Sequence, residues 1–286
     1  MSLLLQNACD THVHVFDKQH FPLTTPRAYT PPDASVDELT DMLVKQGMSR
    51  VVLIQPSVYG TDNRCLLTAM TALSAAGQVT ARGVAVVETR HCSEADILSL
   101  HAAGVRGLRI NIKVNGQYQA EDYFAISRAC KHLGWHLQVY TSMDMHMQLL
   151  DIYKQLDMPV VLDHFAGGTD DAVQLTQLFD CMRQYPIYVK LSAAYRLAPG
   201  FSAAELSQGF YAAAPTQVLW GTDWPHTGGG KRGDNKEPHH SEQIEPFRVV
   251  DNQQALDTVL QALGVENSME AAQKLLVDNP AQLYDF

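Results

Sequence analysis

The chain alternates between short runs rich in β-branched residues and longer segments whose apolar positions recur with a helical period. Runs with strand character occur at residues 8–16, 50–56, 79–87, 105–112, 135–140, 159–165, 187–193 and 217–223. Helical patterning fills most of the intervals, for example at 35–47, 120–134 and 171–185, and several of these segments begin with Ser or Asp and end near Gly, as capped helices do. This alternation predicts a (β/α)8 TIM barrel.

The barrel is expected to be a single domain spanning 1–286, because no linker rich in Pro and Gly divides the chain. A doubly wound open sheet is the second possibility, but no G-x-G-x-x-G follows the first strand. The one polar segment rich in glycine, 227–240, follows the eighth strand. We expect it to form a long mobile loop at the mouth of the barrel.

Composition narrows the class of protein. The formal charge is −10 and no basic stripe is present, which argues against nucleic-acid binding. No apolar run approaches the roughly 18 residues of a membrane span, and the N-terminus lacks the features of a signal peptide. Five scattered cysteines without a C-x-x-C pair favour reduced thiols and a cytoplasmic location.

Candidate chemistry begins in the first strand, which reads ACDTHVHVFD over residues 8–17. Side chains alternate across a strand, so Asp10, His12 and His14 are predicted to share one face. Such a polar face suits a binding site at the open end of a sheet. By the same alternation Asp10 lies deeper in the barrel and is interpreted as a structural hydrogen-bonding partner.

Polar residues recur at the predicted carboxyl ends of the other strands, where barrels of this class carry their active sites. A single strand histidine is more often a core residue, but the convergence of His12, His14, His164 and Asp223 in one barrel favours a functional site. The strand ends and exits hold His12, His14, Ser57, Arg109, Asn111, Tyr140, Asp163, His164, Lys190, Arg196, Asp223 and His226.

Several ordered motifs carry a resemblance to a known family. They are DTHVHVF, QPSVYGTDN, GVRGLRIN, LDHFAGG, VKLSAAYR, LWGTDWPH and the terminal DNPAQLYDF. The chain resembles the hydrolases of the amidohydrolase superfamily, and within it the lactonases that act on 2-pyrone-4,6-dicarboxylate and related lactones, including sugar-acid lactones. The resemblance implies a TIM-barrel hydrolase that acts on a carboxylic ester bond and opens a small carboxylated lactone in catabolism.

A metal site is one interpretation of the histidines. His12, His14 and Asp223 have the residue types to hold one divalent ion such as zinc. The resemblance implies that zinc enzymes of the superfamily take further ligands from a Lys or Glu on strand 4 and a His on strand 5, where this chain has Arg109 and Tyr140. We therefore favour a site with no obligatory metal and leave one zinc ion as the alternative.

Lactone hydrolysis needs a base, a polarised carbonyl and an oriented substrate. Asp223 is the predicted general base, and His12, His14 and His164 are the predicted donors to the carbonyl oxygen.

Arg109 and Arg196 are predicted to bind a substrate carboxylate, because a guanidinium forks onto that group with two hydrogen bonds. The predicted substrate contacts are Ser57, Arg109, Tyr140, Arg196, Asn115 and His226. The resemblance implies R-F-N-x-x-K-R after strand 4, whereas this chain reads RINIKVN, with Asn115 in place of the second Arg. That departure favours a lactone with one carboxylate or with hydroxyl groups.

Other polar residues receive structural interpretations. Alternation predicts that Asp163 faces away from His164, that Lys190 lies inside the barrel near Asp10 or Asp223, and that Arg106 points outward against a helix. The C-terminal segment 271–286 is expected to pack over the outside of the barrel.

Three other functions remain open: a zinc-dependent decarboxylase of an aromatic or unsaturated acid, a lactone isomerase, and a non-catalytic protein that binds organic acids. The predicted partner is a small anionic molecule, and homo-oligomerisation is left open.

Overall fold

The structure is a computed structural model that describes residues 5–88, 92–116, 118–228, 243–264 and 269–286. Its strands are β1 Cys9–Val13, β2 Arg50–Ile54, β3 Thr80–Ala85, β4 Val105–Asn111, β5 His136–Tyr140, β6 Val160–Leu162, β7 Ile187–Ser192 and β8 Val218–Gly221. Its α-helices are α1 Val36–Lys45, α2 Arg64–Ala76, α3 Glu94–Ala102, α4 Ile112–Asn115, α5 Ala120–Cys130, α6 Met143–Tyr153, α7 Ala172–Gln184, α8 Ala203–Ala213, α9 Asn252–Ala262, α10 Glu270–Gln273 and α11 Asn279–Tyr284. Short turns of 3-10 helix lie at Ser57–Tyr59, Lys131–Leu133, Phe165–Gly167 and Ala194–Arg196, and a π-helical turn lies at Lys274–Asp278.

The strands form one parallel sheet in sequence order, each pairing with the next along the chain. The sheet closes where the end of β1 meets the chain after β8, through a parallel bridge between Val13 and Trp224. The Asp223 amide also donates to the His12 carbonyl over 2.9 Å. This confirms the predicted (β/α)8 barrel, and the doubly wound sheet was wrong.

The helices form where capping and patterning predict them. The Ser35 side chain accepts a hydrogen bond from the Glu38 amide, and the Glu38 carboxylate accepts one from the Ser35 amide. These two bonds make a capping box at the start of α1. Leu39 and Leu43, four residues apart, place the apolar face of that helix in the core. The predicted helices at 35–47, 120–134 and 171–185 correspond to α1, α5 and α7.

The first strand departs from strict alternation. Its register against β2 shifts between Asp10 and Val13, as a β-bulge does. Cys9 therefore packs inside the barrel with Val52 and Val161, and His12, three residues later, also points inward. Contrary to the prediction, Asp10 does not share a face with the two histidines. Its carboxylate accepts from the amide and hydroxyl of Thr222 and strengthens the seam between β1 and β8, which fits its expected structural role.

The C-terminal segment closes the amino end of the barrel instead of covering its outside. Tyr284 is fully buried and packs with Cys9 and the other apolar residues of the barrel interior. Arg82 donates to the carbonyls of Tyr284 and Asp285, and Arg106 forms an ion pair with Asp285 at 3.2 Å. Arg106 thus lies away from the polar strand ends, as predicted, because it serves this closure.

Within the described ranges no helix is long and apolar enough to cross a membrane. The loop predicted at 227–240 lies outside the described residues from position 229 onward.

Candidate active site

Three imidazoles surround one carboxylate at the carboxyl ends of the strands. Asp223 Oδ1 lies 3.5 Å from His12 Nε2, 3.4 Å from His14 Nε2 and 3.9 Å from His164 Nε2. All four residues are buried. The structure therefore brings together the four residues that the sequence predicted as catalytic.

Left-handed backbone aims two of these side chains into the cluster. His164 and Asp223 follow β6 and β8 directly and have φ values of 52° and 62°. L-residues rarely adopt this region, at a cost of roughly 1–3 kcal/mol each, and such strain collects at functional sites. The turn after β6 also explains why Asp163 and His164 both point inward, contrary to the prediction that Asp163 faces away. Alternation holds only while the chain remains extended.

Asp163 forms a second polar layer behind His12. Its carboxylate accepts from Arg109 Nη2 at 3.1 Å and from Gln138 Nε2 at 2.9 Å, and it lies 3.4 Å from His12 Nδ1. Lys190 donates to the Thr11 carbonyl and to Gln138 Oε1. The lysine lies inside the barrel as expected, but it contacts these groups rather than Asp10 or Asp223.

The remaining ring nitrogens have partners that orient the imidazoles. His14 Nδ1 lies 2.7 Å from the Ile54 carbonyl, which accepts only, so Nδ1 carries a proton. In neutral His14 the Nε2 lone pair then faces Asp223. His164 Nδ1 pairs with the Ser192 hydroxyl at 2.9 Å, and that group can donate or accept.

The two oxygens of Asp223 have different surroundings. Oδ2 accepts from the Tyr195 hydroxyl at 2.6 Å and from Arg196 Nε at 2.8 Å. Arg196 Nη2 also donates to the Thr227 carbonyl. Oδ1 and His12 Nε2 are buried and have no hydrogen-bond partner within the described parts of the chain. Of the two carboxylate oxygens, Oδ1 is therefore the one left available to a ligand or a water molecule.

Charge and burial shift the pKa values of Asp223, His164 and His12. Burial alone would raise the pKa of Asp223, but the neighbouring Arg196 and His164 hold it well below its ordinary value. Burial lowers the pKa of His164 to about 3, and burial together with the nearby Lys190 lowers the pKa of His12 well below its ordinary value. At neutral pH the site combines an ionised carboxylate with neutral imidazoles at these two positions.

A cavity of about 440 Å³ opens above the cluster. Of the predicted substrate contacts, Ser57, Arg109, Tyr140 and Arg196 line it. His226 does not; it lies in the neighbouring groove beside Trp224, which does not support a substrate contact. The side chain of Asn115 lies outside what the structure describes.

The lining also includes residues that were not predicted from the sequence, among them the polar side chains of Lys113, Tyr195, Glu245 and Arg248. Lys113 and Tyr195 lie two and three residues after the ends of β4 and β7, and this closeness to a strand end could have identified them. Glu245 and Arg248 come from the segment before α9 and follow no strand, and no periodicity marks them.

Three atoms of the cluster meet the requirements of a cation site. His12, His14 and Asp223 each offer one ligand atom, and these atoms lie within 4.8 Å of one another. Ligands about 2.1 Å from a tetrahedral ion are separated by roughly 3.4 Å, close to the distances in this cluster. The unpartnered His12 Nε2 and Asp223 Oδ1 show that these residues fit a single divalent ion.

Fold and site together define a barrel protein whose His–Asp centre lies at the carboxyl ends of its strands. Residues 9–286 match the family model described as Amidohydrolase. The chain belongs to the amidohydrolase family, which confirms the resemblance seen in its motifs.

Named relatives cover nearly the whole chain. It is 33% identical to the 2-pyrone-4,6-dicarboxylate hydrolase of Comamonas testosteroni, over 97% of this chain and 90% of that protein. It is 27% identical to the 4-sulfomuconolactone hydrolase of Rhizobium radiobacter, over 98% and 90%. A solved structure of a putative 2-pyrone-4,6-dicarboxylic acid hydrolase from Pseudomonas putida aligns with a TM-score of 0.76 at 28% identity, over 99% of this chain and 98% of that one.

Proposed function

We propose that this protein is a lactonase that adds water to the ester carbonyl of a small carboxylated lactone and opens its ring. The observation that carries the proposal is the unpartnered Oδ1 of Asp223, an ionised oxygen within 3.9 Å of three imidazoles below an open cavity. Two of the named relatives, a hydrolase of a pyrone dicarboxylate and a hydrolase of a sulfomuconolactone, support the same reaction class.

Asp223 acts as the general base. Its Oδ1 accepts a proton from the attacking water as the tetrahedral intermediate forms. The intermediate then expels the ring oxygen, and Asp223 donates that proton to it, so that the leaving group becomes a hydroxyl. Tyr195 and Arg196 hold Oδ2, so they fix the direction in which Oδ1 faces the water. Because Arg196 also lowers the basicity of the carboxylate, the base is ionised across the physiological pH range.

His164 is the best placed donor to the developing oxyanion. When the Ser192 hydroxyl donates to its Nδ1, the Nε2 of the neutral ring carries the proton and can donate. Neutral His14 cannot do so, because its proton is held at Nδ1 by the Ile54 carbonyl. His164 is therefore a better donor than His14, and removal of such a donor typically costs about 10²–10³ in rate.

The substrate carboxylate meets cations on the wall of the cavity. The terminal nitrogens of Arg109 are committed to Gln55 and Asp163, but its buried Nε has no partner among the described residues. The nearby Lys113 ammonium lies 4.8 Å from the Tyr140 ring centroid. We propose that Arg109 Nε and Lys113 bind the carboxylate, with Ser57 and Tyr140 as neutral partners.

A divalent ion fits His12, His14 and Asp223, and when bound it would polarise the carbonyl as a Lewis acid. We propose that the ion is not obligatory. Behind His12 the two cations Arg109 and Lys190 outnumber the single carboxylate of Asp163, and Lys190 Nζ lies 3.4 Å from His12 Nδ1. Strand β5 also presents Tyr140 rather than an imidazole. The excess positive charge behind His12 opposes the binding of a divalent cation to His12, His14 and Asp223.

The proposal is tested by Asp223→Asn in chelator-treated protein, assayed for acid release from a pyrone dicarboxylate, a muconolactone and a sugar-acid lactone. Loss of the base should reduce kcat by about 10²–10⁴-fold. Tyr195→Phe is the matched control, because it removes one bond to Oδ2 and leaves Oδ1 intact, so its loss should be far smaller. Turnover by Asp223→Asn close to that of the wild type would remove Asp223 as the base.

Metal dependence separates the remaining functions. Turnover after chelation supports the lactonase without an obligatory ion. Activity that returns only with zinc would assign His12, His14 and Asp223 to a metal centre. Release of CO₂ without ring opening would establish the decarboxylase instead, and interconversion of lactones without acid release would establish the isomerase.

A further inference from the structure

Glu245 brings a carboxylate to the wall of a cavity that is otherwise rich in cations. Its backbone is anchored, since its amide donates to the Thr30 carbonyl at 2.8 Å and the adjacent Ile244 forms a bridge with Thr30. Farther along, the Arg248 amide donates to the His226 carbonyl at 3.0 Å. The position of Glu245 is therefore set by two attachments of its segment to the barrel.

One oxygen of this carboxylate lacks a partner. Glu245 Oε1 is buried, and nothing in the described ranges donates a hydrogen bond to it. A buried acceptor left unsatisfied is costly, and more so when it is charged. The group that satisfies it in the working enzyme must bring a hydrogen-bond donor. On a lactone ring the neutral donor is a hydroxyl group.

The charges around the cavity limit the substrate to one carboxylate. Arg196 is paired with Asp223, and Arg109 is paired with Asp163 directly behind the wall. The lining cations that remain are Lys113 and Arg248, and Glu245 offsets one of them. One positive charge is left uncompensated among the described lysine, arginine and carboxylate side chains of the wall.

We propose, on the basis of the lactonase function above, that Glu245 determines substrate specificity. It accepts a hydrogen bond from a substrate hydroxyl and repels a second carboxylate. The favoured substrates are hydroxylated lactones with a single carboxylate, the chemical class of the sugar-acid lactones. A site that binds a hydroxyl in this way discriminates against analogues that lack it, because its buried acceptor is then left unpaired.

The test is Glu245→Gln, which keeps the shape of the side chain and removes its charge. Three probes separate the two effects: D-glucaro-1,4-lactone has one carboxylate and hydroxyls, muconolactone has one carboxylate and no hydroxyl, and 2-pyrone-4,6-dicarboxylate has two carboxylates. We expect kcat/KM for the glucarolactone to fall about tenfold and that for the dicarboxylate to rise about tenfold, while muconolactone changes little. Glu94→Gln on the exposed start of α3 makes the same charge change outside the cavity and should leave all three unchanged.

A binding measurement keeps this inference separate from the lactonase proposal. Calorimetric titration of each probe into Asp223→Asn, with and without Glu245→Gln, reports the preference without turnover. If Glu245→Gln shifts the affinity from the glucarolactone towards the dicarboxylate, the role of Glu245 is supported. This holds even if the wild type opens none of the three rings, a result that would overturn only the lactonase proposal. Unchanged ratios of affinity between the two proteins would overturn the role of Glu245.

Discussion

The two oxygens of Asp223, the proposed general base, have separate tasks. Oδ2 is held by Tyr195 and Arg196, whereas Oδ1 faces the imidazoles without a partner in the described structure. Orientation and reactivity are thus supplied by separate atoms of one group. The sequence predicted that Arg196 binds a substrate carboxylate. Its Nε instead donates to Asp223, so fewer of its donors remain for a ligand.

Substitution of Lys113 tests whether this residue binds the substrate carboxylate. Lys113→Met should raise KM for a carboxylated lactone about tenfold and leave KM for a neutral lactone unchanged, because a charge-assisted hydrogen bond of about 1.5 kcal/mol is lost. The residue is exposed, so the fold should tolerate the change. Steady-state kinetics on both lactones measure this, with Lys131→Met, in an exposed ion pair at the C-terminal end of α5, as control. Equal losses on both lactones would exclude a carboxylate contact.

At the level of elements, the seam between β1 and β8 positions the His–Asp cluster. A Cβ at Gly221 would lie 2.7 Å from His12 Cβ and 2.9 Å from the His12 amide nitrogen. Real Cβ atoms do not approach backbone so closely, so the two strands would have to separate. His12 and Asp223 lie on either side of this contact, and their distance depends on it.

Gly221→Ala should therefore lower the free energy of unfolding by about 1–3 kcal/mol. It should also reduce kcat by more than the decrease in the folded fraction of the protein explains. Denaturant melts and kinetics at a temperature where the variant is fully folded measure the two effects. Gly77→Ala, at the end of α2, is the control: its φ of 71° strains the backbone, but no atom lies within 4 Å of the added Cβ. Normal kcat in folded Gly221→Ala would show that the cluster does not depend on this seam.

The elements were largely predictable from the sequence, since periodicity and capping are local properties. The site was predictable where strands end in polar residues, as for His12, His14 and Asp223. Prediction failed where the backbone left regular geometry. The bulge after Asp10 and the left-handed turn at His164 broke the alternation that placed Asp10 and Asp163. Contacts distant in the sequence, such as that of Tyr195 with Asp223, have no local signature.

On the scale of the whole molecule, the segment that contains α11 closes the amino end of the barrel, and the cavity above the His–Asp cluster lies at the opposite end. Tyr284 fills the interior below Lys190, whose ammonium lies 5.9 Å from the ring centroid. Below the His–Asp cluster the interior also encloses His136, and His146 is buried on α6 in the helical layer. These buried imidazoles couple the stability of the fold to pH.

His146 makes this coupling measurable. Burial lowers its pKa to about 3, against an ordinary value of 6.5, so between these limits the unfolded chain binds a proton that the folded protein does not. Stability therefore falls as pH decreases below 6.5, by about 1.4 kcal/mol per pH unit for each such group. Urea melts between pH 7 and pH 5 should show a shallower loss in His146→Gln than in the wild type, with exposed His132→Gln as the matched control. A slope that His146→Gln leaves unchanged would mean that protonation of His146 does not oppose folding, and that the acid sensitivity of the barrel originates in its other buried histidines.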